Sequence, residues 1–185
     1  LLSQVDSSIG GKTGVNTTGG KNMVGTFYQP SIVISDLVFL DSLPKKEIIC
    51  GYAEILKHSL ISDKKFFDYL KKNHQKIFNK DSSHLKKSIF KSCLIKKKIV
   101  ESDEKESNLR KTLNFGHTFA HAFESTKGYS KNLNHGEAVL LGICAAINFG
   151  YDRKILNKKD FKKIYEHLND LKYSDLNKFF KRKDI

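Results

Sequence analysis

The chain has 185 residues, 39% hydrophobic and 11% aromatic, which is enough to bury a core. Its formal net charge is +13. The lysines are scattered over the polar positions instead of forming one basic stripe with interleaved aromatics, which argues against a nucleic-acid interface. No apolar run approaches the roughly 18 residues of a membrane-spanning helix, and no signal-peptide pattern opens the chain. A basic lining that attracts an anionic small molecule suits this charge better.

The three cysteines are isolated and lack CxxC spacing. They indicate no disulfide framework and favour a reducing, cytoplasmic location, with each thiol a small buried hydrophobe. The chain opens at Leu1 without an initiating methionine, and we therefore expect a fragment of a longer protein.

Residues 1–30 are rich in Gly, Ser, Thr and Asn, which predicts glycine-rich loops. The β-branched run Ser31–Leu37 predicts a short strand after Pro30, and Pro44 is suited to the first turn of a helix. The rest of the chain has helical periodicity and predicts a mainly α fold. The predicted helices are Glu47–Ile61, a second from a cap at Ser62 or Asp63 to Phe78, a third from Asp81 or Ser82 to Val100, Arg110–Thr126, Gly136–Tyr151, Lys158–Leu171 and Ser174–Lys181.

Three of the seven histidines fall within nineteen residues, in LNFGHTFAHAFE and the HGE that follows. His117 and His121 are four apart, so a helix projects them from one face, and His135 lies just beyond. The cluster indicates a metal or acid/base site, although a core histidine bound to backbone is an alternative for His117. The zinc-protease motif HExxH is excluded, because Thr118 occupies the glutamate position. Spacing alone does not divide the roles of the histidines.

An open zinc site takes about three protein ligands, commonly histidines with a carboxylate. Glu54 is a candidate, because it lies in the apolar helical stretch GYAEILKHSLI, where an unpaired charge is costly. The alternative is a surface contact between Glu54 and Lys57 or His58, at i+3 and i+4.

DSSIGGKT nearly matches the phosphate-binding loop GxxxxGK[ST], but Asp6 replaces its first glycine. Further glycines and Asn16 follow where a helix should begin, which argues against a nucleotide triphosphatase. Lys12 and Lys21 are more simply cations in a loop that approaches an anion closely.

Lys96, Arg110 and Asn114 form another candidate group. Arg110 and Asn114 are spaced i, i+4 on the predicted helix of His117, so all three would face one cavity, and guanidinium and ammonium groups suit carboxylate or phosphate. The alternative for Lys96, in a run of three lysines, is a solvated helix face.

Five motifs, in this order, resemble the 3-dehydroquinate synthase family: QVDSSIGGKTGVN, GKNMVGTFYQP, GYAEILKHSLI, LNFGHTFAHAFE and HGEAV. The resemblance runs to about Gly150 and is poor over 151–185. It implies a two-domain enzyme, α/β followed by α. Residues 1–42 would be the end of the NAD-binding domain, with its Gly-rich loops and strand, and 43–185 the helical metal- and substrate-binding domain.

The resemblance also implies site residues. The zinc ligands, with cobalt as a possible substitute, would be Glu54, His117 and His135. The NAD contacts would be Lys12, Lys21, Phe39, Leu40, Asp41 and Ser42. The substrate pocket would be lined by Asp6, Asn22, Lys57, Lys96, Arg110, Asn114 and His121. A late substrate lysine of the family is not identified, although Lys183 is near its place.

The implied reaction converts a seven-carbon keto-acid sugar phosphate to 3-dehydroquinate and phosphate. It proceeds by transient oxidation with NAD, phosphate elimination, reduction and an intramolecular aldol closure, in a homodimer. Lys96, Arg110 and Asn114 favour this reaction over those of related cyclases, such as 2-deoxy-scyllo-inosose or amino-dehydroquinate synthases. The same motifs are compatible with an NAD-dependent polyol dehydrogenase of similar architecture, or with a non-catalytic helical fragment that only binds a metal or a partner.

Overall fold

The computed structural model describes residues 1–128 and 133–180, apart from the side chains of Lys21, Asn22 and Lys178. Most of the described residues are helical, which confirms the mainly α fold. The chain divides into two compact units, Leu1–Leu113 (the first unit) and Asn114–Ile185 (the second unit). The proposed boundary between 42 and 43 remains a prediction.

The N-terminal segment contains a helical turn at Ser3–Ser7 and an antiparallel hairpin of β1 (Val15–Thr17) and β2 (Gly20–Val24). The strand expected at Ser31–Leu37 is wrong. Those residues are extended or irregular up to a 3-10 turn at Leu37–Leu40, because no described strand lies beside them to form a ladder.

Three helices build the body of the first unit: α1 (Lys45–Ser62), α2 (Lys64–Phe78) and α3 (Ser82–Ser102). Their predicted extents are confirmed to within two residues at each end. Asp63 caps α2 and Asp81 caps α3, each by accepting a hydrogen bond from a backbone N–H in the first turn. The helices pack on one another around fully buried apolar side chains, which include Ile48, Tyr52, Leu56, Phe66 and Leu70.

The single helix predicted for Arg110–Thr126 is wrong, because the chain breaks at Gly116. A 3-10 turn covers Leu109–Asn114, and α4 (His117–Thr126) begins only after Gly116, whose φ is +80°. This left-handed conformation favours glycine and ends the helical run. Arg110 and Asn114 therefore do not share the helix of His117.

In the second unit, α4 packs closely on α5 (His135–Asp152). Two glycines allow this approach: a Cβ on Gly142 would lie 2.2 Å from the Gly116 carbonyl oxygen, and one on Gly116 would lie 2.9 Å from the Ile143 nitrogen. Asn134 and Glu137 form a capping box that fixes the first residue of α5. The glycine contact and the cap together bring the first turns of the two helices side by side.

The second unit ends with α6 (Lys158–Asp170), close to its predicted extent, and a 3-10 turn at Leu176–Lys178. The helix expected at Ser174–Lys181 is thus wrong over its described part, where Asp175 caps only the short turn. Among the described helices, none is long and apolar enough to cross a bilayer.

Candidate functional site

Glu54 and Lys57 form a buried ion pair on α1 in the first unit. Glu54 is 0% and Lys57 2% exposed, and the Lys57 ammonium contacts a Glu54 carboxylate oxygen. The predicted contact between Glu54 and Lys57 is therefore present, but it is wrong to place it on the surface, because both residues are buried. A buried charge of this kind is retained only with a partner or a ligand close by.

Lys96 and Asp6 form a second ion pair in the first unit, between α3 and the N-terminal turn. The Lys96 ammonium donates to the carboxylate and to the backbone carbonyl of Asp6. Burial lowers the pKa of Lys96, against the opposing effect of the Asp6 carboxylate. A solvated helix face is therefore wrong for Lys96, although its neighbours Lys97 and Lys98 are exposed.

His58 lies beside both pairs and is fully buried. Its Nδ1 lies 2.7 Å from the Ser92 hydroxyl on α3. One ring nitrogen of His58 and one carboxylate oxygen each of Asp6 and Glu54 lie within 4.8 Å of one another. Burial, aided by the charge of Lys57, lowers the pKa of His58 to about 3, so this imidazole is neutral at pH 7.

Arg110 is 2% exposed and holds two loops of the first unit together. Its guanidinium donates to the Gly10 carbonyl at 2.6 Å and to the Glu104 carbonyl. Asp103 orders the loop that leads to Arg110 by accepting from the backbone N–H groups of Ser107, Asn108 and Arg110. These donors hold the pKa of Asp103 well below its usual range.

The second unit holds the three clustered histidines. The ring centroids are 5.5 Å apart for His117 and His121, 5.4 Å for His117 and His135, and 6.5 Å for His121 and His135. His117 and His135 each begin a helix, and His121 lies one turn into α4. His117 is half-buried, and its Nδ1 is 3.5 Å from the Phe115 carbonyl, too long for a good hydrogen bond.

Glu124 completes this cluster from the last turns of α4. It is 5% exposed, and its Oε1 lies 3.4 Å from His135 Nδ1. A carboxylate on one ring nitrogen orients a metal-binding imidazole, which would then ligate through Nε2. Sequence reasoning missed Glu124, although it follows His117 by seven residues and so shares its helix face.

The residues predicted to contact NAD are spread along the first unit. Lys12 forms an ion pair with Glu106. The backbone carbonyl of Asp41 accepts a hydrogen bond from the Lys80 ammonium. Leu40 is buried, whereas Phe39 and Ser42 are exposed. The side chains of Lys21 and Asn22 lie outside the described residues, as does the whole of Lys183. In the second unit, Asn114 is exposed.

A cavity of about 590 Å³ opens in the first unit between α3 and the N-terminal loops. Its walls include Ile9, Val33, Phe90 and Leu94. Among the described residues, none of the predicted site residues lines it, so this cavity does not contain the candidate chemistry.

The fold is that of sugar-phosphate cyclases that bind NAD and a divalent metal. A solved 2-epi-5-epi-valiolone synthase from Streptomyces hygroscopicus subsp. jinggangensis, with NAD+ and Zn2+ bound, matches 91% of this chain and 48% of its own, with a TM-score of 0.81 and 26% identity. A 2-deoxy-scyllo-inosose synthase with carbaglucose-6-phosphate, NAD+ and Co2+ matches 97% of this chain and 48% of its own, with a TM-score of 0.82 and 25% identity.

Within this class, the chain belongs to the 3-dehydroquinate synthase family. The family's N-terminal pattern matches residues 1–50 and its C-terminal pattern residues 51–181. The 3-dehydroquinate synthase of Pelagibacter ubique (strain HTCC1062) is 64% identical over 186 residues, and that of Desulforamulus reducens 46% over 165 residues. The alignments cover 100% and 89% of this chain but 50% and 46% of those proteins, so the chain spans about half the length of these relatives.

Proposed function

We propose that this chain forms the metal- and substrate-binding part of a 3-dehydroquinate synthase. The enzyme would convert 3-deoxy-D-arabino-heptulosonate 7-phosphate to 3-dehydroquinate and phosphate. The observation that carries the proposal is the family match over 1–181, which includes the buried carboxylate Glu54 and the imidazole cluster. A cytoplasmic location and a homodimer remain predictions.

We propose that Glu54 of the first unit and His117 and His135 of the second unit ligate one zinc ion. The donor set fits, because an open zinc site uses imidazoles and a carboxylate. The Glu124 carboxylate also lies 3.4 Å from His135 Nδ1, the ring nitrogen that a metal bound at Nε2 leaves free. When bound, zinc polarises a substrate oxygen as a Lewis acid, and cobalt(II) would occupy the same ligands. His121 would face the substrate and not the metal.

The substrate brings a carboxylate and a phosphate, and the proposed pocket residues suit both. Lys57, Lys96 and Arg110 would supply positive charge at its two ends, with Arg110 the natural fork for a carboxylate. Asp6, Asn22, Asn114 and His121 would hydrogen-bond its hydroxyl groups and hold it through successive steps. The buried ion pairs of Lys57 and Lys96 would hold these ammonium groups in place for an incoming anion.

Lys12, Lys21 and residues 39–42 would contact NAD, which would supply reversible hydride transfer. The net reaction is therefore phosphate loss without overall oxidation. Because the chain spans half the length of its relatives, the other half of the cofactor site would come from the remaining sequence, and the 185-residue chain alone should be inactive.

The experiment joins this chain to the N-terminal half of the Pelagibacter ubique relative and measures phosphate release from the heptulosonate phosphate with NAD+ and zinc. A control substrate lacks the carboxylate, and a control protein carries Glu54→Gln. We expect release only with the carboxylate substrate and intact Glu54. No release from a folded, zinc-loaded fusion would refute the proposal. A preference for the control substrate would instead favour a related cyclase, and turnover by this chain alone would contradict its expected inactivity.

A further inference from the structure

His58 is a buried imidazole to which the proposed reaction assigns no role. It is 0% exposed, its Nδ1 is engaged by the Ser92 hydroxyl at 2.7 Å, and its Nε2 has no hydrogen-bond partner among the described residues. A neutral imidazole carries one donor and one acceptor nitrogen. If Ser92 donates to Nδ1, the ring proton is on Nε2; if Ser92 accepts from Nδ1, Nε2 is a bare acceptor.

The groups around this ring are charged and come from three segments. Carboxylate oxygens of Asp6 and Glu54 lie within 4.8 Å of a ring nitrogen, while Lys57 contacts Glu54 and Lys96 contacts Asp6. Because Nδ1 faces Ser92, a bare lone pair on Nε2 would be unfavourable in these carboxylate-rich surroundings. An N–H at the same place attracts carboxylates, so the surroundings favour the tautomer protonated at Nε2.

We propose that Ser92 donates its hydroxyl proton to His58 Nδ1 and thereby fixes the Nε2–H tautomer, whose N–H orients the carboxylates of Glu54 and Asp6. His58 and Ser92 are positioning residues in this scheme, because they act through groups that would touch the metal and the substrate. The inference rests on the proposed role of Glu54 as a metal ligand.

The expected consequence is that the Glu54 carboxylate is already oriented before a metal ion binds. A carboxylate that faces a neighbouring N–H dipole loses less freedom when it binds a cation, and outer partners of metal ligands change metal affinity by about 10- to 100-fold. Ser92 and His58 would thus raise metal affinity without contacting the ion.

The first test uses the metal-free 185-residue chain and two variants of equal shape, Ser92→Thr and Ser92→Val. Both add the same bulk, but only threonine keeps the hydroxyl. Proton–nitrogen correlation spectra of the histidine rings, with His58 assigned from His58→Gln, report which nitrogen carries the proton. We expect Nε2–H in the unmodified chain and in Ser92→Thr, and a mixture of tautomers in Ser92→Val. Protonation at Nδ1 in the unmodified chain would overturn the proposal.

The second test titrates the same proteins with cobalt(II) and records its visible absorption. Ser88→Val is the matched control, because Ser88 is equally buried on α3 but donates to its own helix at the His84 carbonyl. We expect Ser92→Val to bind cobalt about tenfold more weakly than Ser92→Thr and to change the spectrum, with Ser88→Val unchanged. Equal affinities and spectra for the Thr and Val variants would refute the positioning role.

The two readouts separate this inference from the proposed function. If the unmodified chain binds no cobalt, or if Glu54→Gln binds it undiminished, the proposed metal site is wrong. The metal part of the inference then falls with it, and the ring spectra still decide the tautomer.

Discussion

The polar side chains of the two units are brought together in different ways. In the first unit, two buried cations contact residues far away in sequence: Lys96 reaches Asp6, and Arg110 reaches Gly10. The buried pair of Glu54 and Lys57, in contrast, lies within one helix. In the second unit, the three imidazoles come from two helices and lie within nineteen residues, held by a glycine contact and a cap. The first arrangement depends on packing between distant segments, and the second on helix spacing together with the packing of α4 against α5.

Substitutions in the two units should therefore affect different properties of the protein. A substitution of His117 or His135 would remove a proposed ligand but few packing contacts, so it should alter metal binding more than folding. A substitution in the charged cluster leaves a buried partner uncompensated, so it should alter the free energy of unfolding.

Replacing His117 or His135 by alanine should weaken metal binding by more than about 100-fold, equivalent to about 2.7 kcal/mol or more, because each removes a direct ligand. Metal content after dialysis, measured by mass spectrometry, reports the loss, and circular dichroism reports the fold. His121→Ala is the control and should retain its metal. Equal loss in His121→Ala would show that the division of roles among the histidines is wrong.

Replacing Gly142 by alanine should destabilise the second unit by about 2–3 kcal/mol, because the added Cβ would lie 2.2 Å from the Gly116 carbonyl oxygen. Urea unfolding measures the change, and metal affinity should fall because α4 and α5 move apart. Gly150→Ala, on the same helix, has its nearest neighbour at 3.6 Å and should be neutral or slightly stabilising. Equal stability of the two variants would argue against a close contact at Gly142.

Replacing Lys96 by methionine should cost about 2 kcal/mol of unfolding free energy, because it leaves the Asp6 carboxylate without its ammonium. This is below the usual cost of breaking a buried pair, since Asp6 retains some access to water. Lys97→Met is the control: its exposed contact with Glu101, at 3.5 Å, should contribute little. If both variants unfold at the same urea concentration, the buried pair contributes no stability.

Replacing Asp103 by asparagine should have the smallest effect on global stability, since its carboxylate orders one surface loop. Amide hydrogen exchange at Ser107, Asn108 and Arg110 should become about tenfold faster, because three backbone donors lose a charged acceptor. Exchange in α1 should be unchanged. Unaltered exchange at the three amides would show that the loop is ordered without Asp103.

Much of the fold follows from the sequence, and the errors have definable causes. Apolar periodicity, with a cap at Ser62 or Asp63 and another at Asp81 or Ser82, predicted α2 and α3, because both signals are local. The structure selects Asp63 and Asp81 as the caps. The strand at Ser31–Leu37 failed because strand formation needs a neighbour that periodicity does not supply. The helix over Arg110–Thr126 failed because the left-handed φ of Gly116 follows from its contact with α5, not from its own segment.

The residues of the candidate site also differ in whether local sequence or long-range packing determines their position. Helical spacing along the chain already placed His117 and His121 on one face, whereas the position of His135 beside them depends on the packing of α4 against α5. Only the tertiary structure decided that Glu54, Lys57 and Lys96 are buried, that His58 meets Ser92, and that Glu124 meets His135. The physical reason is that burial and hydrogen-bond partners depend on which distant segments pack together, whereas helix faces and caps depend on neighbours along the chain.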